Sequence, residues 1–146
     1  DRITNLQVVE ITDENEIEAL EQATSSTRPD AEHLKRALEL LTDRKVPDYR
    51  NSMKESISAV ESVCQEITEM PSATLNDCLK VIKRRHALHP AFEGSLVKLY
   101  GFTSDAGGIR HAMTDETEKP TFADAKFMLV SCAALVNYFR TVIAEA

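Results

Sequence analysis

The chain contains no tryptophan, four glycines, five prolines and three cysteines in 146 residues. So little glycine and proline argues against collagen-like sequence, disordered low-complexity sequence and a turn-rich sandwich. The cysteines, Cys64, Cys78 and Cys132, form neither a C-x-x-C pair nor Cys/His spacing of the zinc-site kind, and each falls inside an apolar helical pattern. They read as small reduced core residues, which fits a cytoplasmic location. No apolar run approaches the roughly 20 residues needed to cross a bilayer, and no basic-then-apolar leader opens the chain. No membrane partner is therefore expected. Positive charge is also scarce, with 17 Lys and Arg against 24 Asp and Glu, a net charge of -7. Such a balance repels a polyanion at long range while leaving room for a local basic groove.

What is present is helical periodicity. The length suits one domain that can bury a core without disulfides or a metal, and the pattern predicts an all-α, antiparallel helical bundle over residues 13–146. Residues 1–12 read as a short extended N-terminal arm, or the end of an upstream element, because LQVVEI favours an extended backbone. Asp13, with Glu16 three residues on, has the form of a capping box that opens a first helix carrying Ile17, Leu20 and Ala23. Pro29 suits the first turn of a short second helix with Leu34, Ala37, Leu38 and Leu41 on one side. A long third helix from about Asp48 to Met70 repeats Tyr49, Met53, Ile57, Val60, Cys64 and Ile67 at three and four residue intervals.

Thr74 and Asp77 form another capping box before Leu75, Leu79 and Ile82. Pro90 then admits a further helix carrying Phe92, Leu96 and Leu99. At the end, Thr121 and Asp124 precede Phe122, Ala125, Leu129, Cys132, Val136, Phe139 and Ile143, the spacing of a helix buried along one seam. An antiparallel pairing of this helix with the Asp48 helix is expected to form the centre of the bundle.

Two polar features stand out from this pattern. The segment GGIRHAMTDE, Gly107 to Glu116, sets Arg110 beside His111 directly after a glycine pair, where the backbone can turn tightly. His111 has the pKa range of a general base, and the planar fork of Arg110 can hold two phosphate oxygens. Equally, Arg110 can pair with Asp105, Asp115 or Glu116, and His111 can satisfy a carbonyl or cap a helix. Arg50, Asn51, Glu55, Tyr100 and Asp115 are candidate supporting residues, with Arg50 set unfavourably near a helix start. The second feature is the basic run Lys80, Lys83, Arg84, Arg85 and His86, ending at His89. A run like this is commonly a solvated face, and it is also the form of a surface for a phosphate backbone. The glycine pair lacks the lysine and the serine or threonine of a phosphate loop, and no nucleotide fingerprint is present, so no cofactor and no metal are expected.

At PDYRNSMKESISAVE (Pro47 to Glu61), KLYGFTSDAGGIRHAMTDE (Lys98 to Glu116) and ADAKFMLVSCAALVNYF (Ala123 to Phe139), the sequence resembles the C-terminal region of AbiJ-type bacterial abortive-infection proteins. Through them it is distantly similar to the HEPN superfamily, helical bundles that commonly dimerise and often act as metal-independent RNases. Their signature is an arginine, a polar residue and a histidine four to six positions after the arginine. Arg110 and His111 match its first two parts, while no histidine follows His111 anywhere in the chain. The resemblance implies a dimerising regulatory or sensor module of a phage-defence protein. Two alternatives stand beside it: a HEPN-like endoribonuclease with Arg110 and His111 as catalytic residues, and a noncatalytic RNA-binding module using Lys80 to His86. A homodimer, RNA and another defence-system protein are the expected partners.

Overall fold

A computed structural model describes residues 13–102 and 119–145. They form six helices: α1 (Glu14–Ala23), α2 (Pro29–Thr42), α3 (Tyr49–Thr68), α4 (Leu75–Lys83), α5 (Pro90–Phe102) and α6 (Phe122–Glu145). No strand occurs among the described residues. The expected all-α bundle is therefore present, while the N-terminal arm lies outside the described residues.

Local chemistry sets the helix ends. Asp13 caps α1 by accepting from the Asn15 and Glu16 amides at 2.9 and 3.0 Å. Glu16 does not close the expected box; its carboxylate reaches across to Lys126 of α6 at 3.3 Å. The Thr74 and Asp77 box at the start of α4 is complete in both directions. The same reciprocal pair forms at α6, where the Thr121 amide donates to Asp124 at 2.9 Å and the Asp124 amide to Thr121 Oγ1 at 3.3 Å. At the other end of α3, Glu69 takes a left-handed conformation with φ 58°, a geometry that a residue with a Cβ adopts at a cost.

The core lies where α2, α3 and α6 meet, with α1 laid on α6 and α4 on α3. Leu20, Leu34, Met53, Leu129, Val136 and Phe139 are among its fully enclosed side chains. Burial of this kind, worth about 1.5–3 kcal/mol for each large apolar side chain, is the main force holding the helices together. Helices α2 and α3 run antiparallel. Ser52 Oγ donates to the Ala37 carbonyl at 2.7 Å, while His33, a turn earlier in α2, meets Glu55, further along α3, at 2.7 Å.

The α3–α6 pair departs from expectation. Tyr49 meets Phe122 at the start of both helices, with ring centroids 6.1 Å apart, and Glu66 meets Arg140 near the end of both. The two helices are thus parallel, and α6 is antiparallel to α2 instead. Periodicity fixes which face of a helix is buried and leaves its direction open.

The expectation that no segment is long and apolar enough to span a bilayer also needs correction. Phe122–Val142 in α6 meets that length and has a mean hydropathy of 1.3. Ala125, Met128, Leu129, Cys132, Ala133, Val136 and Phe139 on that helix are core residues, so this apolarity has a use inside the bundle.

Candidate functional site

Three polar groupings emerge from the fold. The first is built around a buried carboxylate. Asp30, in the first turn of α2, is 1% exposed, although a lone carboxylate in such a position is costly. Arg140 of α6 compensates it, with Nη2 donating to Asp30 Oδ1 at 2.6 Å and to Glu66 Oε1 at 2.8 Å. Nη1 donates to the other Glu66 oxygen, so the guanidinium grips that carboxylate with two bonds. Arg28 Nε lies 3.4 Å from Asp30 Oδ1. The hydrogen bond from Arg140 holds the Glu66 carboxyl below the ordinary glutamate value, and the same bond raises Arg140. Asp30 Oδ2 and the Nε atoms of Arg28 and Arg140 have no protein hydrogen-bond partner. The cluster ties α2, α3 and α6 together at one place.

The second grouping is the His33–Glu55 contact between α2 and α3. Both side chains are about one-third exposed, and His33 Nδ1 lies 2.7 Å from Glu55 Oε1. Glu55, a candidate supporting residue for Arg110, meets this histidine, and Arg110 itself lies outside the described residues. Its neighbour Asn51 is engaged locally, donating from Nδ2 to Asp48 Oδ2 at 2.7 Å. Arg50 is half-buried in the first turn of α3.

The third grouping is the basic corner where α4 ends and α5 begins. Lys80 and Lys83 lie in the last turn of α4, where positive charge complements the carbonyl end of the helix dipole. Arg84, Arg85 and His86 continue past the helix end, and His89 precedes α5. All six side chains are exposed. Between Asp77 and Glu93 the sequence has no acidic residue, and the flanking carboxylates temper the charge. Glu93 does so directly, pairing with Lys83 at 3.2 Å and clasping the end of α4 to the first turn of α5. His89 Nδ1 accepts from the Ala91 amide at 3.0 Å, a cap that fixes the start of α5 and turns the other ring nitrogen away from it.

Beside this corner stands Phe92, 39% exposed. The apolar pattern grouped it with Leu96 on one helix; Leu96 is buried and Phe92 is not. An edge-to-face contact with Tyr138 of α6, centroids 5.2 Å apart at 71°, holds the ring in place.

Arg110, His111 and Asp115 lie outside the described residues, as does the side chain of Tyr100. The three cysteines are free and buried, as expected. Burial pushes the Cys132 thiol up to about 12, and a hydrogen bond with Cys78, followed by burial, raises Cys64. These thiols are poor nucleophiles. Among the described residues no group of three His, Cys, Asp or Glu side chains could hold a metal ion.

Sequence reasoning passed over His33, Asp30 and Arg140. Arg140 did carry a signal, because it is the only charged residue between Lys126 and Glu145. A lone arginine in so apolar a helix needs a buried acid to meet. No family model matches the chain, and neither does any curated protein or solved structure.

Proposed function

We propose that this chain is a regulatory or sensor module that docks RNA through the basic corner at the α4–α5 junction. The observation that carries this reading is the exposure of Lys80, Lys83, Arg84, Arg85, His86 and His89 along a stretch without an acidic residue. Four formal positive charges there can replace the counterions of a phosphate backbone, which supplies most of the free energy of sequence-independent binding. The surrounding negative charge of the chain slows approach and favours binding through this corner over the rest of the surface. The abortive-infection setting is carried by the resemblance at Pro47–Glu61, Lys98–Glu116 and Ala123–Phe139.

Fluorescence anisotropy with a labelled RNA at several salt concentrations tests the reading. If all four cations contact a single strand, log affinity falls against log salt with a slope of about -2.8, or about sevenfold for each doubling. R84E/R85E is expected to abolish most of the binding. Affinity that ignores both salt and this substitution would remove the basic corner from the function.

Self-association is a second reading, favoured by Phe127. Its side chain is 55% exposed on α6 and shares a helix face with Ser131, Ala134 and Tyr138. Light scattering on wild type and F127E checks it, with a dimer mass that drops to the monomer in the variant as the expected result.

A further inference from the structure

We infer that the strand bound at the basic corner is single-stranded and that Phe92 is the platform on which one of its bases stacks; this rests on the RNA-docking reading above. The placement of the ring supports it. His89 is the residue before α5 and Phe92 lies three positions on, so both belong to one side of its first turn. The 3.2 Å Lys83–Glu93 contact brings the cationic end of α4 to that same turn. Ring and cations therefore meet at one corner of the molecule.

Phe92 has the two properties that a stacking platform needs. It is accessible, at 39% exposure, and the Tyr138 contact at 5.2 Å restrains it. A ring already restrained loses less freedom when a base settles on it. Cationic side chains beside an aromatic ring are the usual means of holding single strands without reading sequence, the cations tracking phosphates and the ring taking a base. Bases in a duplex are stacked on one another, so their faces are closed to the ring. The corner thus favours an unpaired strand over a duplex, whereas charge alone would bind both.

The test uses the full chain with an unstructured 12-nucleotide RNA and the same RNA annealed to its complement. F92L keeps an apolar side chain against Tyr138 and removes the flat ring; it is expected to weaken single-strand binding about tenfold and to leave duplex binding unchanged. F92W is expected to retain the wild-type preference. Because the chain has no tryptophan, F92W also places a single tryptophan at the site, whose emission can be excited apart from that of the three tyrosines and should be quenched by the single strand and not by the duplex.

Equal loss on both nucleic acids, no loss in F92L, or saturable single-strand binding that leaves the F92W emission unchanged would overturn the stacking inference. The RNA reading would survive each of these results if R84E/R85E still abolished binding. Conversely, a chain that binds phosphatidylserine vesicles through Arg84 and Arg85 and binds no RNA would overturn the RNA reading together with the inference. A thermal melt of F92L within a few degrees of wild type shows that its lost affinity is not lost structure.

Discussion

The chain uses arginine in two opposite ways. Arg140 is mostly shielded from solvent and paired with the buried Asp30 and the half-exposed Glu66, while Arg84 and Arg85 stand exposed at the α4–α5 corner. The difference is one of solvation. A guanidinium taken out of water must find carboxylates that repay its dehydration, and once it has them its loss strands those carboxylates. A guanidinium left in water has no such debt and can exchange its counterions for a ligand. The first kind of charge is coupled to folding, the second to binding.

The largest expected effect comes from breaking the buried side of this comparison. R140M leaves the Asp30 carboxylate enclosed without its main partner and should destabilise the protein by about 3–5 kcal/mol in chemical denaturation. Adding D30L to R140M should restore much of that loss, because two apolar groups no longer need compensation. A double variant as unstable as the single one would mean that the cluster works through shape and not through charge. By contrast, R84E/R85E should change stability by no more than about 0.5 kcal/mol, as exposed substitutions usually do. A large loss of stability there would place the basic corner among the structural elements.

A smaller effect separates the two regions by pH. Glu66 has a folded-state pKa below its unfolded one, held down first by the Arg140 hydrogen bond. Its contribution is therefore complete above the ordinary value of 4.5 and is lost as pH falls through the lower folded value. Half of the Glu66 side chain is exposed, so solvent screening keeps the contribution modest. Denaturation midpoints measured from pH 6 downward should fall less steeply in E66Q than in wild type. If the two slopes are equal, other carboxylates dominate the acid response.

How far each region could be read from sequence follows from the same physics. Apolar periodicity identified the buried faces of α1, α2, α3, α4 and α6, because burial of one stripe is what makes such helices fold. It could not give the parallel run of α3 and α6, which is decided by how the intervening chain returns. It also left the place of Phe92 open, since a first-turn aromatic carries the same pattern whether it faces the core or the rim. The basic run was visible as a run, and its reading as a solvated face agrees with its exposure. The Asp30–Arg140 contact spans 110 positions, and no local pattern links residues that far apart; only the isolation of Arg140 in an apolar helix pointed toward it. Arg110 and His111 were legible as a motif and lie outside the described residues.

The smallest effect concerns the backbone beside the buried cluster. Glu69 ends α3 in the left-handed region, φ 58°, where a Cβ crowds the following carbonyl by about 1–2 kcal/mol relative to glycine. Glycine relieves that strain but also gives the unfolded chain more freedom, which offsets about half of the gain. E69G should therefore stabilise the protein by roughly 0.5 kcal/mol, seen as a small rise in the denaturation midpoint with an unchanged slope. RNA affinity should not move, because the change is in the segment between α3 and α4 and not at the junction of α4 with α5. If affinity shifted along with stability, the end of α3 and the basic corner would be mechanically coupled through α4. The division between folding charges and binding charges would then have to give way to a single connected unit.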